Sequence, residues 1–287
     1  MTTTVTLTGT GTPIPNALRA GAGVLVQVDG LTLQFDAGRA TSMRLASLGV
    51  TPMMLDGVFL THHHSDHLQG LDDLAFSRWI GLSMDPGPAT IDQQLPVIGP
   101  DGPLRPFLEE LLKPWKDDFE VRRSHTAREN VPAFQSSLFP PTREPVLVWE
   151  QSGVRVLSAT VRHEPVIPSV GFRIESSAGV VAISGDTRAC SEVAELSRGA
   201  DVLVHEAMLK AALRGTPREA IMDYHADAED VGRLARDAGV KTLMLTHLVP
   251  PPERLDQGEE RYIEAVLRGG FEGELIVGKD LDQVSFG

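Results

Sequence analysis

The 287-residue chain is predicted to be an α/β protein with parallel segments in its sheets, and three observations carry that prediction. Its last third alternates strand-like apolar runs with helical stretches, a pattern that stacks helices on partly parallel sheets. Its first third alternates short strands with turns, including one clear hairpin signal. Finally, four apolar runs lead into side chains that ligate metals: Gly57–Thr61 before His62, Val154–Val161 before His163, Val180–Ile183 before Asp186, and Thr242–Thr246 before His247. Side chains at separate strand ends converge only if those ends share a rim.

In chain order, Val5–Thr8 reads as a strand and Gly9-Thr10-Gly11-Thr12-Pro13 as a turn. Val24–Val28 and Leu31–Phe35 flank Asp29-Gly30, which favours a tight primed turn and so a hairpin. After Asp36-Ala37-Gly38 a helix runs to about Leu48 and stops at Gly49. The clearest helix begins near Asp227, whose carboxylate can cap its first turn, and ends at Gly239. No internal repeat is present, and residues 1–287 read as one domain.

From Trp79 to Trp149 the periodicity breaks up. Eleven of the 20 prolines lie between Pro86 and Pro145, and all three tryptophans (Trp79, Trp115, Trp149) fall here. So long an irregular stretch is either an elaborated surface connection or a functional cover. The segment, about 79–149, is expected to cover a substrate pocket with its aromatic side chains.

A 41% hydrophobic fraction is ordinary for a globular protein. Cys190 is the only cysteine, which excludes an intramolecular disulfide and suits a reducing compartment. The N-terminus enters a strand at once, without a basic segment and apolar run, and no apolar run nears the ~18 residues of a membrane span. A cytoplasmic protein with no membrane partner is expected. A formal charge of −13 argues against nucleic acid as partner, because such binders gain affinity by neutralising phosphates.

His62 and His64 are two apart, so in an extended segment their imidazoles point the same way. Asp66 and His67 follow where a helix begins, which turns them back toward the same rim. Neutral imidazole suits zinc, and a carboxylate can bind or bridge a second ion. Four such residues within six positions, joined by His163, Asp186 and His247 at strand ends, point to a metal site rather than scattered histidines. His63 alternates away from its neighbours. His205 reads as a packing residue, and His125 with Arg122, Arg123 and Arg128 as a solvated loop.

His62-x-His64-x-Asp66-His67 with His163, Asp186 and His247 resembles the dinuclear motif of the metallo-β-lactamase superfamily. Thr8–Pro13, Phe35–Arg39, Ser184–Thr187, Val204–Ala207 and His225 extend the likeness toward the branch holding ribonuclease Z and the zinc arylsulfatases. The resemblance implies a four-layered αβ/βα sandwich and two Zn²⁺ ions, with manganese or iron as substitutes. It implies that His62, His64 and His163 hold one ion, that Asp66, His67 and His247 hold the other, and that Asp186 bridges them. A hydroxide shared by the ions would attack the substrate. Asp66, His225 and Glu206 are implied as catalytic, with Glu206 orienting His225 toward the leaving group. Ala226-Asp227 stands where the family commonly has a hydroxyl pair, so an added carboxylate near a phosphate is a concern.

Three functions remain in view. The favoured one is hydrolysis of a small anionic or aryl ester: an aryl sulfate, phosphodiester or lactone. The alternative is a ribonuclease Z-like tRNA 3′-end endonuclease. Against it stand the charge and the separation of His163 and Asp186 by only 23 positions, which leaves no room for the basic arm usual in ribonuclease Z. The third is metal binding without catalysis. A homodimer accords with the resemblance, though no interface is legible.

Overall fold

The computed structural model describes residues 2–84, 94–126 and 130–287. In chain order its elements are β1 (Thr3–Gly9), β2 (Gly23–Val28), β3 (Leu31–Phe35), α1 (Thr41–Ser47), β4 (Gly57–Phe59), α2 (Ser65–Leu68), α3 (Leu71–Met84) and β5 (Leu95–Pro100). Next come α4 (Leu104–Leu111), α5 (Lys116–Thr126), β6 (Phe134–Phe139), β7 (Val146–Gln151), β8 (Val154–Thr160), β9 (Val170–Ser176), β10 (Gly179–Ile183) and α6 (Ser191–Leu196). The chain finishes with β11 (Val202–Met208), α7 (Lys210–Leu213), α8 (Ala228–Ala238), β12 (Thr242–Val249), α9 (Gly258–Arg268), β13 (Glu274–Val277) and β14 (Gln283–Phe286).

The strands form two seven-stranded sheets, ordered β14-β1-β2-β3-β4-β5-β6 and β13-β12-β11-β10-β9-β8-β7. Alternation along each strand divides the apolar residues into three cores. On β11 and β12, Val202, Val204 and Met244 face the other sheet and meet Val5, Val26, Leu33 and Phe59. Leu203, Leu243 and Leu245 face outward onto Val231 and Ala235 of α8 and Tyr262 and Val266 of α9. On the first sheet, Leu25, Val58 and Val97 face outward onto Leu45, Leu71, Leu74 and Leu104 of α1, α3 and α4. Helix, sheet, sheet, helix is the predicted αβ/βα sandwich.

The local signals hold. The β2–β3 hairpin turns at Asp29 and Gly30, both left-handed (φ 51° and 82°), which is what a primed turn requires. Gly49 and Gly239 close α1 and α8 in the same region (φ 71° and 70°), and the Asp227 carboxylate accepts from Glu229 N at 3.4 Å as the cap of α8.

The middle segment departs from expectation. Its described residues form regular elements: β5 and β6 continue the first sheet in parallel with α4 and α5 between them in the chain, and β7 is an edge of the second sheet. Its strands were illegible for physical reasons. Pro96 lies outside the β4–β5 ladder, which joins Val58 to Val97 and Phe59 to Ile98, so the donor it lacks is not needed there. Strands β6 and β7 are sheet edges with exposed positions, so hydrophobic alternation is weak. The tryptophans pack the fold: Trp79 is buried against Phe119, Trp115 rests on Phe76, and Trp149 meets Phe59 edge-on at 5.7 Å between the sheets. The expected prolines 86 and 88 and Arg128 lie outside the described residues.

Topology places the rim. Strands β3 and β4 are parallel, as are β10, β11 and β12. Strand β8 pairs antiparallel with β9, and β9 antiparallel with β10, so β8 points the same way as β10. Their carboxyl ends open on one edge of the sandwich, where ligands gather in α/β sheets. Val170 N donates to Thr61 O at 3.0 Å and stitches the two sheets together there.

Candidate active site and metal cluster

His62 leaves β4 in extended backbone, and His64 precedes α2, whose single turn brings Asp66 and His67 inward; both are buried. This loop is seated by glycine. A Cβ on Gly38 would stand 2.3 Å from Asp66 O and 2.4 Å from Gly21 C, so backbone meets backbone at van der Waals distance only without a side chain. His163 follows β8 and Asp186 follows β10.

His247 does not follow its strand, as the apolar run suggests, but lies inside β12. Regular alternation would send it to the face of Leu245, which belongs to the outer core. Instead it is left-handed (φ 47°), at a register shift in the β11–β12 pairing, and this turns the ring to the rim. A β-region residue is displaced into sparsely populated space there, as at many functional sites.

Three histidines have their Nδ1 committed. His67 Nδ1 donates to Asp36 Oδ2 at 2.6 Å, and His163 Nδ1 to Tyr224 O at 3.0 Å. Thr61 Oγ1 gives its proton to Asp36 (2.8 Å to Oδ2) and accepts from His62 Nδ1 at 2.9 Å. Each Nε2 is left facing the cluster. Asp36, itself left-handed (φ 54°) at the end of β3, thus orients two rings. Sequence reading gave it no role, although its place after a strand leading to the shared rim was the available signal.

The facing atoms form two groups that meet at Asp186. His62, His64, His163 and Asp186 offer ligand atoms within 4.8 Å of one another, as do Asp66, His67 and His247. Asp186 Oδ2 lies 4.0 Å from His62 Nε2 and 3.4 Å from Nε2 of both His67 and His247. Asp66 Oδ2 is 3.1 Å from His247 Nε2. His225 also falls within 4.8 Å of Asp186 and His247. The buried atoms His62 Nε2, His67 Nε2 and Asp66 Oδ1 have no hydrogen-bond partner. Orphans of this kind cost about 1–3 kcal/mol each, and imidazole nitrogens beside carboxylate oxygens are the donor set for divalent zinc. The residues fit a metal pair.

Electrostatics agree. Burial, helped by the charge of His67, holds His62 well below the ordinary histidine range. Burial also depresses His67 and His247, but Asp186 and its neighbouring carboxylates outweigh it, raising His67 well above its usual value and His247 to about 9. Asp186 is buried, which raises a carboxyl, yet His247 and His67 hold it well below the usual range. Protons therefore occupy histidine positions that a cation would claim.

Glu206 and His225 stand beside the cluster. His225 Nδ1 donates to Glu206 Oε1 at 2.7 Å, and Thr187 N fixes the same oxygen at 2.9 Å. Burial lowers His225, but Glu206 more than offsets it and the net shift is upward. The Asp227 carboxylate caps α8, and burial raises its pKa. His63 turns away onto Phe107 of α4 at 4.9 Å. His205 is buried with Nδ1 on Glu206 O, and His125 is exposed at the end of α5.

Fold and cluster together define a class, a metal-dependent hydrolase. The chain belongs to the metallo-β-lactamase superfamily: a family profile described as beta-lactamase superfamily domain matches residues 33–248. A ribonuclease Z of Mycobacterium bovis BCG is 36% identical over 98% of this chain and 97% of its own length. One of Mycolicibacterium paratuberculosis is 37% identical over the same shares. Among solved structures, the metallo-β-lactamase fold protein YhfI of Bacillus subtilis superposes with a TM-score of 0.74 at 23% identity, covering 99% of this chain and 100% of that one. Human tRNase Z, short form, superposes at 0.68 and 21%, covering 99% of each.

These relatives correct the expectation that nucleic acid is not a partner. Proteins named ribonuclease Z match this chain nearly end to end, so neither an extra arm nor overall length separates them from it. The β9–β10 hairpin does fill the interval between His163 and Asp186, but its shortness does not discriminate. Net charge failed as a guide because it averages the surface, whereas a substrate meets a local field.

Proposed function

We propose that the chain is a ribonuclease Z-type endonuclease that hydrolyses the phosphodiester at the 3′ end of a tRNA precursor. The observation that carries this reading is the 36% identity to a ribonuclease Z across 98% of the chain, in a protein whose clustered His and Asp side chains could hold metal ions. On this reading His62, His64 and His163 hold one metal ion, Asp66, His67 and His247 the other, and Asp186 lies between them. Zinc is the first choice for the donor set, with manganese or iron as substitutes. Bound metal supplies Lewis-acid charge for the phosphoryl oxygens and lowers the pKa of water to about 7.

The chain's own residues do the rest. Asp66 keeps Oδ1 without a partner, placed to accept the proton of the attacking water. His225, held through Nδ1 by Glu206, gives its Nε2 proton to the departing ribose oxygen as the P–O bond breaks. Glu206 and Thr187 N keep that ring in register. The single unpaired thiol of Cys190 suits the reducing cytoplasm in which this work would be done.

The test is a substrate panel given to metal-quantified protein: a tRNA precursor with a 3′ extension, bis(p-nitrophenyl) phosphate and p-nitrophenyl sulfate. Cleavage of the precursor at the mature 3′ end is expected, with the sulfate inert; the reverse ranking rejects the reading. His225→Ala should keep both ions and lose about 10²–10⁴ of turnover, whereas Asp186→Ala should lose metal. Metal loss from His225→Ala would make that residue a ligand instead.

A further inference from the structure

A cleft of about 490 Å³ has His225 as one wall and Arg188, Lys210 and Arg233 among the others. We infer that this cleft seats a phosphate of the RNA strand next to the scissile bond, with Lys210 and Arg188 as its cationic contacts; the inference rests on the ribonuclease reading above.

Lys210 is the first residue of α7, just beyond β11, and Leu209 N on Val249 O at 2.9 Å ties this junction to β12. It is half-buried and makes no ion pair or side-chain hydrogen bond among the described residues, in a chain with 39 acidic residues against 26 basic. Arg188, two positions past Asp186, reaches Glu164 with Nη2 at 2.9 Å, but its Nε is buried with no partner. Lys210 thus keeps its donor capacity unused on the wall of a cleft that the Arg188 guanidinium also lines. The carboxylates in that cleft are already engaged: Asp230 with Arg233 at 2.6 Å and Asp237 with Arg236 at 2.7 Å.

A small diester held at the cluster needs none of this. A polynucleotide does, because its neighbouring phosphate must lie somewhere beyond His225, and phosphate contacts fix register without reading sequence. Lysine serves as a point charge and a guanidinium N–H as a directed donor.

The experiment follows kcat/KM for the tRNA precursor against salt, using the metal-loaded full chain. Lys210→Ala should reduce the log–log salt slope by ~0.7–1, and Lys210→Arg should restore it. Lys116→Ala removes a lysine that makes no ion pair among the described residues, at the start of α5 and outside this cleft, and should leave the slope as it is. A folding fault would lower kcat/KM without flattening the slope. Equal slopes in Lys210→Ala and wild type overturn the inference and leave the ribonuclease reading standing. A wild-type chain that cuts no precursor at any salt overturns both.

Discussion

Asp36 touches two cluster histidines at once, directly through His67 Nδ1 and by way of Thr61 to His62. A carboxylate behind a ligand ring fixes its tautomer and raises its basicity. Asp36→Ala should therefore weaken metal affinity by roughly 10–100-fold while leaving every ligand in place, as read by competition with a chelator. Unchanged affinity would reduce Asp36 to a packing residue. A pH effect belongs to the same scale. In the metal-free protein His247 is raised to about 9 and His67 is raised well above its usual value, against ~6.5 when unfolded. Their stabilising contribution is full below ~6.5 and is lost as pH climbs through about 9. The melting temperature in chelator should fall across that window, and metal should abolish the fall by replacing the protons. A flat profile in chelator would contradict the assigned charge states.

Among the elements, α2 is the most exposed to failure, since one turn carries both Asp66 and His67. Its seat is the backbone contact at Gly38. Gly38→Ala should push α2 off the rim, lowering metal content more than it lowers the amplitude of the folding transition; metal content equal to wild type would show that the loop adapts. How far sequence could see depended on the element. The β2–β3 hairpin, α8 and its Asp227 cap, and the clustering of the His and Asp side chains after β4, β8 and β10 were all legible, because turn chemistry and periodicity are local. The strand Thr242–Thr246 was legible too, but its continuation through His247 to Val249 was not, since only the pairing with β11 reveals the shift that turns the ring. Strands β5, β6 and β7 were hidden by Pro96 outside a short ladder and by edge positions that bury little.

For the molecule as a whole, two sheets bring the chain-distant residues His62–His67, His163, Asp186 and His247 to one rim, and the core between them holds that rim in place. Phe35 stacks on Phe59 at 4.8 Å, and Phe172 of the opposite sheet meets Phe59 at 5.8 Å, in the strands that lead to the cluster. Composition misled at this scale. A charge of −13 described the surface on average, while on the proposed reading a polyanion would meet the His/Asp cluster and the Lys210–Arg188 cleft. The most direct measurement is cleavage of a 3′-extended tRNA precursor by protein stripped with chelator and then titrated with zinc. A single cut at the mature 3′ end, growing with metal up to two ions per chain, is the expected result. A cut indifferent to chelation, or an intact precursor beside rapid turnover of p-nitrophenyl sulfate, would contradict the account.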